Sequence, residues 1–132
     1  MFDVNIQCSR VGRAFGHVVH IETQTKENID EETILRLWAT QSSVLHLSLP
    51  SSPTFPLIVR ENIHPDRDLQ AGKDTTDSLG FNLKRGMSIV VTPPIFKGGW
   101  IQWSAFSANT IRGAAGGCML LAELDTQLRL RS

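Results

Sequence analysis

Lys97-Gly98-Gly99-Trp100-Ile101-Gln102-Trp103-Ser104-Ala105-Phe106-Ser107 is the stretch on which the fold turns. The paired glycines supply a tight turn, and residues 100–107 then read as a strand. Trp100, Gln102, Ser104 and Phe106 alternate with Ile101, Trp103 and Ala105, so both faces carry bulk. Such a strand belongs inside a sheet or under a cover. Immediately upstream, residues 87–92 form a β-branched run ended by Pro93-Pro94, and residues 57–60 read as a further strand.

Two more strands open the chain. Residues 2–8 set Phe2, Val4, Ile6 and Cys8 against Asp3, Asn5 and Gln7, the pattern of a strand with one buried face. Residues 15–25 continue as a second strand, with His17, Val19, Ile21 and Thr23 on one side and Gly16, Val18, His20 and Glu22 on the other. The connection between them, residues 9–14, carries Arg10, Gly12 and Arg13. A helix is predicted from Asp30 or Glu31 to Gln41, with Asn28 and Glu31 in a capping arrangement. Its Ile34, Leu37 and Trp38 form an apolar stripe for a sheet, which makes Trp38 a core residue. Residues 42–49 contain a short extended piece, and residues 49–56 are a proline-punctuated loop. Residues 61–85 are polar, lack periodicity and read as a long surface loop.

Downstream of the opening stretch, a last helix is predicted from about Asn109 to Leu128. Its early part, Gly113-Ala114-Ala115-Gly116-Gly117, has no large side chain and admits a very close neighbour, either backbone or ligand. Strands, a helix, more strands and a final helix make an α+β domain with a mixed or largely antiparallel sheet covered by helices. All of residues 1–132 fall in one domain, a size that buries about two-thirds of the surface its unfolded chain exposes.

Thirteen basic residues balance thirteen acidic ones, for a formal net charge of zero. That leaves no electrostatic footprint for nucleic acid or an anionic membrane. Apolar runs such as residues 119–122 are far shorter than the roughly twenty residues of a membrane span. The first residues lack the pattern of a secretory signal, so a soluble, cytoplasmic protein is expected. Cys8 and Cys118 lie far apart without a Cys-x-x-Cys spacing, and both are expected as small buried residues rather than as a disulfide, a metal site or a nucleophile.

Arg10 and His17 are the candidate chemical pair. Across a folded-back connection, an arginine could clamp an anion while an imidazole moves a proton near neutral pH. The alternatives are a solvated cation for Arg10 and a strand histidine satisfied by the backbone for His17. His17 and His20 point to opposite faces of a strand, which argues against a shared metal, and no metal site is expected. His64-Pro65-Asp66 reads as exposed loop. Residues 113–117 have neither the Walker lysine nor dinucleotide spacing.

Several stretches resemble one family. Asn109-Thr110-Ile111-Arg112-Gly113-Ala114-Ala115-Gly116, with Ala122-Glu123-Leu124 after it, is similar to the C-terminal segment of aspartate-semialdehyde dehydrogenases of the archaeal and fungal type. Cys8-Ser9-Arg10-Val11 followed by Gly16-His17 resembles that family's Cys-Asn-Arg-Val and Gly-His stretch. Leu49-Pro50-Ser51-Ser52-Pro53, Pro56-Leu57-Ile58-Val59-Arg60-Glu61 and Gly86-Met87-Ser88-Ile89-Val90-Val91 resemble three further motifs in the same order. Nearly the whole chain is covered.

The resemblance implies the family's substrate-binding and dimerisation domain, similar in fold to the C-terminal domain of glyceraldehyde-3-phosphate dehydrogenase. It implies that Arg10 holds a substrate carboxylate, that His17 is the general acid/base, and that Asn109 to Gly113 approach the nicotinamide end of a cofactor. The family's dinucleotide-binding half and its catalytic cysteine have no counterpart in these 132 residues, so autonomous NADP-dependent dehydrogenase activity and a bound cofactor are not expected. Local departures point the same way. Gly12-Arg13-Ala14-Phe15 replaces a stretch that carries a carboxylate, the residue before Asn109 is Ala108 where histidine is usual, and Pro93-Pro94 interrupts another motif. Two expectations follow. One is a repurposed enzyme doing non-redox chemistry (isomerisation, elimination or cyclisation) on a carbonyl- or carboxylate-bearing small molecule. Its catalytic residues would be His17 and Arg10, with Arg10, Arg13, Phe15 and Asn109 binding substrate. The other is a non-catalytic module, either a homodimer or a split or regulatory subunit of a dehydrogenase.

Overall fold

The computed structural model describes residues 3–9, 16–44, 49–73 and 84–130. The strands are β1 (Val4–Ser9), β2 (His17–Thr23), β3 (Leu57–Val59), β4 (Ile89–Val91), β5 (Ile95–Lys97) and β6 (Trp100–Ser107). The helices are α1 (Glu31–Val44), the single turn α2 (Pro65–Asp68) and α3 (Gly116–Arg129), the last entered through a π-type turn at Ile111–Ala115. The strands form one six-stranded sheet in the order β1-β2-β6-β4-β3, with β5 also pairing β6. Only β3 and β4 run parallel among the pairs. This is the expected α+β arrangement with a mixed sheet.

β6 is central, as bulk on both its faces requires. Register places Val18, Phe106 and Val90 in line across β2, β6 and β4. They form the core with Ala71, and Ile58, Ile63 and Leu69 pack against it. Phe106 and Val90 are fully buried, each stabilising the fold by about 2 kcal/mol relative to exposure. On the opposite face Thr23, Ile101 and Trp103 meet Ile34, Leu37 and Trp38 of α1. The Trp38 and Trp103 rings meet edge to face with centroids 5.8 Å apart. Trp38 is therefore packed but only half-buried, rather than enclosed in the core.

Three local expectations are corrected. The helix cap is Asp30, not Asn28: its Oδ1 accepts from Thr33 N–H at 2.7 Å, and hydrogen bonding first from the Thr33 side chain and then from this N–H holds the Asp30 carboxyl below its ordinary pKa. The alternating face of β1 is not buried. Val4 is 54% and Ile6 62% exposed, because β1 is the sheet edge and no described element covers it. Cys8 and Cys118 are likewise exposed, Cys8 by sharing that edge.

The 61–85 segment is not devoid of structure. Pro65 starts α2, and its Asp68 side chain is fully buried beneath Arg60 and Arg67. β5, for which the sequence suggests no element between Pro94 and the glycine turn, forms a hairpin with β6. Gly98 and Gly99 sit between paired Lys97 and Trp100 with φ of 59° and 79°, the conformation a two-residue hairpin turn demands. The extended piece expected after residue 41 is helical to Val44, and residues 45–48 lie outside the described structure.

Candidate functional site

The β2–β6 register brings the start of β2 beside the end of β6, with His17 opposite Ser107. Two residues further on, Asn109 leaves β6 and folds its side chain back over the corner. Its Oδ1 accepts the Gly16 N–H at 2.9 Å, and its Nδ2 lies 3.5 Å from His17 Nε2, at the long limit of a hydrogen bond. Because a backbone N–H can only donate, the Gly16 bond fixes which end of the amide is oxygen. Gly16 has φ of +97°, and a Cβ there would press on the Phe106 ring. Only glycine brings this backbone N–H to Asn109 without strain. His17 and Asn109 are both half-buried, within reach of a small solute.

The surroundings are rigid. Gly116 packs on Met87, whose Sδ occupies the place a Cβ would take, and a Cβ at Gly117 would lie 2.9 Å from the Arg112 carbonyl. The close neighbour that residues 113–117 invite is thus the protein's own Met87. The π-type turn widens the backbone here: Gly116 N–H reaches the Ile111 carbonyl, five residues back. Arg112 Nη1 donates to the Met87 carbonyl at 3.4 Å. Further off, Ser51 donates to the Glu123 carboxylate from both its N–H (3.1 Å) and its hydroxyl (2.7 Å), which staples the proline loop to α3.

Motifs distant in sequence therefore meet. The stretch around Ser51 binds Glu123, the Gly86-Met87 pair packs under Arg112 and Gly116, and Gly16-His17 meets Asn109. Solved structures share the fold. An aspartate-semialdehyde dehydrogenase from Candida albicans, determined with NADP, superposes on 83% of this chain with a TM-score of 0.60 and 21% identity. The chain shares its fold with part of an aspartate-semialdehyde dehydrogenase. It spans 29% of that enzyme's length. Aspartate-semialdehyde dehydrogenase II from Vibrio cholerae matches 86% of the chain, at a TM-score of 0.50 and 13% identity, with 28% of its own length covered. No family model matches the sequence.

Within this dehydrogenase-like fold the predicted site residues divide. His17 and Asn109 come together. Arg10, Arg13 and Phe15 lie outside the described residues, in the connection from Ser9 to Gly16. His20 points to the opposite face and pairs with Ser104 Oγ at 2.8 Å, away from His17. Among the described residues no cluster of three His, Cys, Asp or Glu could hold a metal, and no helix is long and apolar enough to cross a membrane. Gly116 is filled by Met87 and Gly117 is set against the Arg112 carbonyl, so the close neighbours of these two glycines are the protein's own atoms.

Gly16 is the residue the sequence reading passed over. Its signal was available, since a glycine directly before a strand histidine marks a backbone position that takes an unusual φ or a close contact. Asp68 was missed as well, and nothing in a polar, aperiodic stretch distinguishes one buried carboxylate from its exposed neighbours.

Proposed function

We propose that this chain is a small-molecule enzyme performing non-redox acid/base chemistry at the His17–Asn109 corner, on a substrate that carries a carbonyl and a carboxylate. The observation that supports the reading is the 3.5 Å approach of Asn109 Nδ2 to His17 Nε2, with the amide held from behind by Gly16. An amide nitrogen has two hydrogens. One faces Nε2 and the other is available to a substrate carbonyl oxygen, which gathers negative charge when the adjacent carbon loses a proton. As substrate enters, the long Asn109 contact to Nε2 is released, His17 Nε2 takes that α-proton and becomes imidazolium, and the substrate becomes an enolate hydrogen-bonded to Asn109. Return of the proton to a different atom is an isomerisation. Loss of a β-leaving group that carries the proton away is an elimination. Both balance without an oxidant or reductant. In this reading Arg10 clamps the substrate carboxylate, and Arg13 and Phe15 line the same pocket.

Proton abstraction is detectable before any product is known. The chain is incubated in D2O with a panel of small keto acids and semialdehyde acids, and loss of the α-proton signal is followed by NMR. Exchange above the buffer rate is expected for at least one compound, slowed about a hundredfold or more by His17→Ala. Exchange that is absent across the panel, or undiminished in His17→Ala, overturns the assignment.

One observation favours the non-catalytic alternative. Val4 and Ile6 form an exposed apolar row on the edge strand β1, a surface suited to a second copy or a dehydrogenase subunit. Size-exclusion chromatography of Ile6→Lys against the unaltered chain tests it. Identical elution of both as monomers counts against the homodimer.

A further inference from the structure

We infer that Asn109 is a positioning residue that fixes the tautomer of His17, holding the neutral imidazole with its proton on Nδ1 and a bare lone pair on Nε2. This rests on the acid/base reading only for its use, since the tautomer is a property of the protein without substrate.

The inference follows from the order in which the hydrogen bonds are determined. Gly16 N–H is a backbone donor with no freedom, and it takes Asn109 Oδ1 at 2.9 Å. The amide plane is then set, and Nδ2 is the atom turned toward the ring. An amide nitrogen donates and does not accept, because its lone pair is delocalised into the carbonyl. An Nε2–H tautomer would set two N–H groups against each other at 3.5 Å. The Nδ1–H tautomer sets a donor against a lone pair. A free histidine favours Nε2–H, so the corner inverts the usual preference. The consequence for chemistry is that the nitrogen beside the amide donor is the one able to accept a proton. Once a substrate displaces that long contact, the amide donor serves its carbonyl oxygen and the freed Nε2 lone pair its α-proton.

Asn109 acts through His17 here, so the decisive readout is spectroscopic. Long-range 1H–15N correlation spectra of the full chain, recorded where the ring is neutral and assigned with His17→Gln, report which ring nitrogen is protonated. The exposed His64 serves as internal reference. For His17 a protonated-type Nδ1 and an unprotonated-type Nε2 are expected. Asn109→Asp keeps an oxygen for the Gly16 N–H but replaces the amide donor by an acceptor, so the proton is expected to move to Nε2. Asn109→Ala is expected to relax His17 to the tautomer mixture of His64.

An Nε2–H tautomer in the unaltered chain overturns the inference outright, whatever the variants do. So does a His17 pattern unchanged in both Asn109→Asp and Asn109→Ala. The Gly16 amide resonance shows that the corner is intact in Asn109→Asp. Failure of the two readings is separable. An Nδ1–H tautomer with no deuterium exchange on any substrate leaves the positioning role standing and removes the enzyme, and exchange with an Nε2–H tautomer does the reverse.

Discussion

Two polar clusters organise this chain, one knitting residues 60–68 and one joining residues 16–17 to Asn109, and they are built on opposite plans. Around Asp68 every acceptor is used. The carboxylate is fully buried, takes Arg67 Nε at 2.7 Å and Arg67 Nη2 at 3.2 Å, accepts the His64 N–H at 2.7 Å, and has Arg60 Nε at 3.7 Å. Burial pushes the Asp68 carboxyl up. The hydrogen bonds from Arg67 and His64 and the charges of Arg67 and Arg60 outweigh burial, so its pKa lies below the ordinary value. Around His17 the groups are half-buried, and the key contact is long. Among the described residues, hydrogen-bonding capacity is left over. A buried carboxylate engaged on both oxygens holds a loop in place, whereas a more sparsely bonded, half-buried pair can accept a guest.

The sharpest attack on that contrast is at Gly16, where the His17–Asn109 corner leans on the core residue Phe106. Gly16→Ala forces a positive φ on a residue with a Cβ and drives that Cβ into the Phe106 ring. Positive φ and overpacking together are expected to cost about 3 kcal/mol, measured by urea unfolding. A loss within about 0.5 kcal/mol of zero would mean that the glycine is a convenience and that the Asn109 anchor is loose.

Asp68→Ala comes next. It leaves the His64 N–H and Arg67 without their acceptor and Arg60 without its ion-pair partner, and about 2 kcal/mol of stability is expected to go, softened by the partial exposure of the arginines. The unaltered chain carries a matching pH signature. Because the folded pKa of Asp68 is depressed, the unfolded chain binds the proton first. This group's contribution is complete above the ordinary carboxylate value near 3.8 and is lost as pH falls through the lower folded value. Asp68→Ala is expected to flatten that part of the acid limb, and an identical acid limb in both proteins would remove the cluster's structural role.

The two clusters also differ in how far the sequence disclosed them. Strong periodicity placed β6 within its observed bounds, and the Gly98-Gly99 pair marked its turn, because a two-sided apolar strand and a positive-φ pair have few other solutions. His17 and Asn109 were each legible as candidates, but their meeting was not, since it depends on the β2–β6 register and on one backbone N–H. β1 misled in the other direction. Alternation predicts an apolar face, yet whether anything covers that face is a tertiary fact, and at an edge nothing described does. Asp68 lay within a polar stretch where local pattern has no power, because burial of a charge is decided by the arginines that reach it.

Asn109→Ala separates rigidity from the proposed function within the His17–Asn109 corner. It removes one hydrogen bond to a backbone donor, so about 1 kcal/mol is expected to be lost. That is smaller than the loss from either preceding variant. A loss of 3 kcal/mol or more would place Asn109 with the Asp68 type of cluster, as a structural member whose effect on the His17 tautomer is incidental.

The smallest effect on stability is expected from His17→Ala, and its smallness is the point. The ring is half-buried at the first position of β2, its partner Asn109 keeps its bond to Gly16 when the ring is gone, and the Nε2 contact is too long to contribute much. Stability is expected to change by no more than about 0.5 kcal/mol. A histidine that the fold needs must cost more than that when removed, and one that the fold merely displays must cost less. Thermal unfolding of His17→Ala beside Asn109→Ala therefore sorts the two residues without a substrate. If His17→Ala proves the more destabilising, the imidazole is a packing element and the acid/base reading loses its physical basis. If it is neutral while Asn109→Ala is not, the asymmetry is that of a reactive group and its support.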